Sequence, residues 1–154
     1  MGELDDAGLI VRRLGAFALG IYASPTYLAR HGEPQTADDL ARHACITFLL
    51  PRTGRVLPWL LGPTADKYIP AASYQCSDDF LAAVTLARAG VGLVQAYDFV
   101  VEHDLARGAL VEVLRPLRGA SRPFSLVYPR DAAVTKATRA MIDFLVATAP
   151  RAAA

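Results

Sequence analysis

The side chains able to do chemistry in this 154-residue chain are few and scattered. Its three histidines, His31, His43 and His103, share no His-x-x-x-His or comparable ligand spacing, so no metal site is expected. His31 precedes a glycine that stops a helix, and His43 ends a second short helical stretch; an imidazolium there suits the negative end of the helix dipole. Cys45 and Cys76 sit in apolar or strand-like runs without the close spacing of a redox pair, which reads as two buried free thiols. There is no Gly-x-Ser-x-Gly elbow, phosphate loop or Gly-x-Gly-x-x-Gly turn. Gly90-Val91-Gly92 comes nearest, but it closes a helix and enters a strand, the reverse of the order that cradles phosphate. With no converging set of groups, neither catalytic residue nor cofactor is expected.

Three places keep two readings open. Asp78 and Asp79 could act as acid and base, yet neighbours at a helix start diverge by about 100°, and capping explains them as well. Ser77 and the free amides behind it suit that cap or an anionic ligand equally. Gln95 and Tyr97 lie just past a strand, and Thr47 and Phe48 late in another. The carboxyl ends of strands are where open α/β sheets hold ligands, and rim or core packing is the alternative for each residue.

The elements that would position these residues alternate. Leu9 to Leu14 reads as a short amphipathic segment and Phe17 to Tyr22 as a buried strand. Ser24-Pro25 opens a helix that Gly32 stops, and Thr36 with Asp39 forms a capping-box pattern for a second, ending near His43. Cys45 to Leu50 is apolar enough for a strand covered on both faces. Dense Gly and Pro from Arg52 to Pro70 predict loop and short edge strands. Ala72 to Cys76, Val91 to Gln95, Leu110 to Leu114 and Phe124 to Tyr128 read as further strands. Helices follow from Ser77 to Ala89, from Asp98 to Arg107 with Phe99, Val100, His103 and Leu105 as its apolar positions, and from Thr135 onward. The fold class is α/β with a partly parallel sheet.

Sixteen Lys and Arg against 15 Asp and Glu leave a net charge of +1, without blocks of one sign that could follow a phosphate backbone. At 53% apolar and 20% charged residues the chain is too hydrophobic for disorder. No apolar run approaches the roughly 18 residues that cross a bilayer, and the acidic first residues do not resemble a secretory leader. A cytoplasmic domain with no membrane partner is expected.

The order of segments then carries a resemblance. LIVRRLGAFALGIYASPTYLARHGEPQTADDLARHACITF, from Leu9 to Phe48, resembles the effector-binding domain of LysR-type transcriptional regulators. In that family a strand ending Ala-Ser-Pro-x-Tyr-Leu, a Gly-x-Pro turn, Asp-Leu-x-x-His and an apolar strand recur in this order. SDDFLAAVTLARAGVGLVQ, DLARGALVEVL and FSLVYPRDAAVTKATRAMIDFL resemble the family's later segments, so the likeness covers about Leu9 to Val146. One departure stands out: Ala96 and Tyr97 replace a frequent Leu-Pro.

The resemblance implies the fold of a periplasmic-binding-protein-like type II lobe, a mixed, mainly parallel sheet flanked by helices, with most of the first lobe outside this sequence. By the same likeness, residues 17–126 would form the second lobe, 1–16 and 127–150 remnants of the first lobe and its hinge, and 151–154 a tail. A small-molecule effector, with anions one candidate class, would meet Thr47, Phe48, Ser77, Asp78, Gln95 and Tyr97. Leu81, Val84, Thr85 and Arg88 would face a second copy in a homo-oligomer. DNA would be contacted only through a helix-turn-helix absent from this sequence. A solute-binding protein of the periplasmic type and a small enzyme are the competing classes, and fold alone does not separate them.

Overall fold

The signals around residue 24 act as their chemistry requires. The computed structural model describes residues 8–130 and 135–148, and of residues 72 and 73 the backbone alone. Strand β1 (Leu9–Ala23) runs into α1 (Pro25–His31), whose cap Ser24 accepts the Tyr27 N–H through Oγ at 3.2 Å. Gly32, at φ +78°, ends the helix in a conformation that costs glycine little. The Thr36–Asp39 box opens a 3-10 turn, Ala37–Arg42, rather than a full helix. Its one buried side chain, Leu40, reaches the core within six residues.

Strand β2 (Cys45–Leu49) follows, then the hairpin β3 (Trp59–Leu61) and β4 (Asp66–Tyr68), and β5 (Ala72–Ser77). Helix α2 (Phe80–Arg88) returns to β6 (Leu93–Tyr97), which passes directly into α3 (Asp98–Ala106). The remainder is β7 (Val111–Val113), a 3-10 turn (Arg115–Leu117), β8 (Ser121–Pro129) and α4 (Lys136–Thr148). The tail expected at 151–154 lies outside the described residues.

Two compact units divide the chain, one of Ala18–Ser121 and one of Met1–Phe17 with Arg122–Ala154. In the first, five strands run in the order β5-β2-β6-β1-β7. β2 pairs in parallel with β5 and β6, whereas β1 is antiparallel to β6 and β7, giving a mixed α/β sheet. Period-two alternation sorts its side chains into two cores. Ile21, Cys45, Leu93 and Val113 pack on Leu40, Tyr27 and Trp59, while Tyr22, Ile46, Val94 and Ala96 meet Ala83, Val84, Ala87 and Val101 from α2 and α3. Gly92 enters β6 so close to β2 that an added Cβ would stand 2.3 Å from the Ala44 carbonyl oxygen, which accepts the Leu93 N–H.

In the second unit β8 pairs with β1, and the rings of Phe17 and Phe124 meet edge to face at 4.6 Å. The Thr135 hydroxyl accepts the Thr138 N–H at 3.1 Å and caps α4, which presents Met141 and Phe144 to solvent.

Three local readings are corrected. Leu9–Leu14 and Phe17–Tyr22 belong to one 15-residue strand, since no proline between them forces a turn. Gln95 and Tyr97 lie within β6, not past it. The buried positions of α3 are Val101 and Asp104, while Phe99 and His103 face outward. A carboxylate occupies the core-facing position because two guanidinium groups neutralise it, a pairing that hydrophobic spacing does not register. Arg88 Nε and Nη2 donate to Asp104 at 2.9 and 2.6 Å, and Arg107 adds two further bonds at 3.2 and 2.7 Å. The bond from Arg88, with help from Arg107, holds that carboxyl below the usual carboxylate range despite its burial.

Candidate functional site

Three parallel strands, β5, β2 and β6, end side by side at Ser77, Leu49 and Tyr97, in the register Thr47↔Gln75, Phe48↔Cys76 and Leu49↔Ser77. This carboxyl edge is where an open α/β sheet leaves room for a ligand, and every expected contact residue belongs to it.

Those residues divide by what they meet. Thr47 and Gln95 share the side of Cys45 and Leu93, and their polar atoms are already engaged. Thr47 is fully buried, its hydroxyl 3.4 Å from the Tyr74 carbonyl. The Gln95 amide accepts the Leu60 N–H at 2.9 Å and donates to the Leu60 carbonyl at 2.8 Å, clasping the β3-β4 hairpin. Both residues are therefore ligand-facing only if those bonds open.

Phe48 and Tyr97 instead belong to a row of rings. Phe48 meets Phe80 at 5.7 Å, Phe80 meets Tyr97 at 6.0 Å, and Tyr97 stacks on Phe99 at 5.6 Å and 23°. Phe80 and Phe99 escape a motif search because each is a lone aromatic at a helix start. Their common signal is position: all four rings stand within two residues of a strand's carboxyl end or a helix's first turn. Phe99 is half exposed, a large apolar surface in water at the end of the row. It also borders an open groove of about 400 Å³ with Glu102, Leu105 and Arg118.

The turn from β5 to α2 is the strained part of the edge. Asp78 has φ +64°, unfavourable for a residue with a side chain, and the Asp79 N–H donates to the Ser77 carbonyl across it at 2.7 Å. Asp79 is the cap, accepting the Leu81 N–H at 2.8 Å, so Ser77 lies outside the helix. With the carboxylates of Asp78 and Asp79 at this terminus, its potential disfavours the anion that the amides alone would attract.

Behind the edge a part-buried network ties β1 to α3 and β7. The Tyr22 hydroxyl donates to Asp98 at 2.6 Å, Arg118 pairs with Asp98, and Arg118 Nε lies 2.9 Å from Glu112. Burial, then the bond to Asp98, pushes the Tyr22 phenol far above its ordinary range. Burial likewise pushes the Cys45 thiol up to about 12 and raises Cys76, so neither is a ready nucleophile.

Of the residues expected to face a second copy, Leu81 is 58% exposed and Thr85 and Arg88 are also at the surface. Val84 is not: at 1% exposure it belongs to the core between α2 and β6, because three steps of about 100° set it about 60° round the helix from Leu81, on the inward side. Arg88 is also committed to Asp104.

Comparison with known proteins adds the identity of the scaffold. The family model described as LysR substrate binding domain matches residues 1–150. The HTH-type transcriptional regulator CrgA of Neisseria meningitidis serogroup C (strain 8013) is 37% identical over 147 residues, covering 94% of this chain and 48% of that protein. The HTH-type regulator YhjC of Escherichia coli (strain K12) is 30% identical over 148 residues, with the same coverage. The chain thus spans about half the length of the curated relatives it matches. Among solved structures, the CrgA regulatory domain from Neisseria meningitidis gives a TM-score of 0.82 at 33% identity, covering 97% of this chain and 72% of that one. The regulatory domain of AphB from Vibrio vulnificus, at 23% identity and a TM-score of 0.73, shares the fold. By family model, by sequence and by backbone, the chain belongs to the LysR substrate binding domain family of transcriptional regulators.

Proposed function

We propose that this chain is the effector-sensing part of a LysR-type transcriptional regulator that works in the cytoplasm, and that a small molecule binds at the carboxyl edge of β5, β2 and β6. The unit Ala18–Ser121 would be the family's second lobe, with β8 and α4 belonging to the first. The observation that carries the reading is the row Phe48, Phe80, Tyr97 and Phe99 beside the strained turn at Asp78. The half-exposed Phe99 ring and backbone strain raise the free energy of the edge, and a ligand that stacks on the row and bonds the turn recovers part of it. Two carboxylates at the turn disfavour an anion and suit a molecule with an apolar body and hydroxyl or ammonium donors. No catalytic role is proposed, in keeping with relatives that are regulators.

Binding would act by population shift: the ligand stabilises one arrangement of the regulator by its differential affinity, and the geometry of the DNA-reading parts changes with it. Contact with DNA would fall to the helix-turn-helix that the relatives' names report. Association with a second copy would use the outer face of α2, with Leu81 at its centre and Thr85 and Arg88 beside it.

The test is a screen of small polar-aromatic and apolar metabolites against the intact regulator, read by operator binding. Tyr97→Ala and Phe80→Ala should each weaken the response by about tenfold, the loss of roughly one aromatic contact, while leaving operator affinity without effector unchanged. An effector response that survives both substitutions would overturn the assignment.

A further inference from the structure

The unit of β1, β8 and α4 holds a second feature that the proposed function does not use. An open groove of about 540 Å³ lies among these three elements, lined by Arg12 of β1, Arg130 just past β8, and Arg139 of α4, together with Tyr128 and Asp143. The volume is that of a small-metabolite site. Among the described residues none of the three guanidinium groups makes a side-chain hydrogen bond or ion pair, although Asp143 stands one helical turn from Arg139. Five guanidinium groups elsewhere, those of Arg42, Arg88, Arg107, Arg115 and Arg118, do find carboxylates.

We propose that this groove is a binding site for a small, multiply charged anion, a phosphate or a polycarboxylate, separate from the effector edge. Three cations around one groove repel one another, and among the described lining residues Asp143 leaves a net charge of +2. A ligand with two or three negative charges removes that repulsion and gains charge-assisted, forked bonds from planar guanidinium groups. Ile10 and Ile142 supply an apolar wall and the half-buried Tyr128 an aromatic one, so the ligand can carry a short carbon body as well as charge. The three arginines come from three elements, so the groove forms only when the unit is folded and couples ligand to fold by mass action.

The experiment titrates the full chain with inorganic phosphate and, separately, citrate at constant ionic strength, following arginine side-chain and backbone amide resonances. Saturable shifts centred on Arg12, Arg130 and Arg139 with one of the two anions are expected. Phosphate alone would identify a tetrahedral oxyanion site and citrate alone a polycarboxylate site. Arg12→Gln and Arg139→Gln should each weaken binding by about tenfold, and Asp143→Asn, which removes only a surface carboxylate, should tighten it. A response no different from that to added chloride would overturn the proposal. So would binding that survives both arginine substitutions. Should those variants fail to fold, an Asp143→Asn chain that binds no more tightly than the parent would do the same.

Discussion

The corner from Ser24 to Cys45 and the edge from Ser77 to Asp104 belong to the same unit, but only the edge combines a strained non-glycine residue with a half-exposed ring. At the corner, partners are found locally. The Tyr27 hydroxyl accepts the Ala44 N–H at 2.9 Å and lies 3.1 Å from His43 Nδ1, while its ring stacks on His31 at 4.5 Å. Asp39 accepts the Gln35 and Thr36 amides and the Thr36 hydroxyl, which draw its carboxyl down to about 2, and it pairs with Arg42. At the edge, by contrast, Asp78 sits at positive φ, Phe99 is half exposed and the α2 cap is crowded with like charge. The corner is polar-satisfied and unstrained, whereas the edge, where we propose that a ligand binds, keeps some of its interactions in reserve.

The comparison breaks most readily at the corner's core. Leu40→Ala empties a fully buried position packed on both Tyr27 and Cys45, and should cost about 2–5 kcal/mol in denaturant melts. Gly92→Ala ranks next, at about 1–3 kcal/mol, because its new methyl meets a backbone oxygen that cannot rotate away. Tyr27→Phe removes one hydroxyl and strands the Ala44 N–H and His43 Nδ1, for about 1–2 kcal/mol.

Acid should act on the same corner. Burial first, then the neighbouring His31 and Arg42 charges, lower the pKa of His43 against the opposing pull of Asp39. The unfolded chain therefore binds a proton more readily than the folded one below about pH 6.5. Stability should fall as pH drops from about 6.5 toward the folded-state value, and His43→Gln should remove that slope from urea midpoints. Asp39 acts in a lower window, with stability present above about pH 4 and lost as pH falls toward 2. Asp39→Asn should flatten this second limb.

The smallest effect sharpens the contrast by reversing its sign. Asp78→Gly relieves a left-handed backbone angle at the edge, and should stabilise the chain by about 0.5 kcal/mol after the glycine entropy cost, while weakening any effector response. A destabilisation of similar size would show that the turn is not held under strain.

The difference between the two regions also explains what the amino-acid order reveals. Ser24, Gly32, Thr36 and Asp39 announce the corner because each acts within four residues of itself. The β2 strand is plain from its apolar run. The inward turn of Val84 and the burial of Asp104 depend on two helices meeting on one face of the sheet, and the pairing of Arg88 with Asp104 spans 16 positions. The ring row is harder still, drawing on β2, α2, β6 and α3 at once. Thr47, Gln95 and Tyr97 are legible as residues of one edge, but only the register shows that the first two are occupied and the third belongs to the rings.

The bond between Gln95 and Leu60 has a consequence for change over time. A glutamine amide offers the same donor and acceptor as a peptide unit, so a side chain here replaces one rung of a β ladder. With Trp59 and Leu61 buried in the core, this rung fixes the hairpin without a continuous register along the sheet. The Leu57 N–H donates to the Phe48 carbonyl at 2.7 Å and the Gly62 N–H to the Leu117 carbonyl at 2.6 Å, so length can change most freely at the turns between these ties, at residues 52–54 and 63–65, leaving the parallel strands undisturbed.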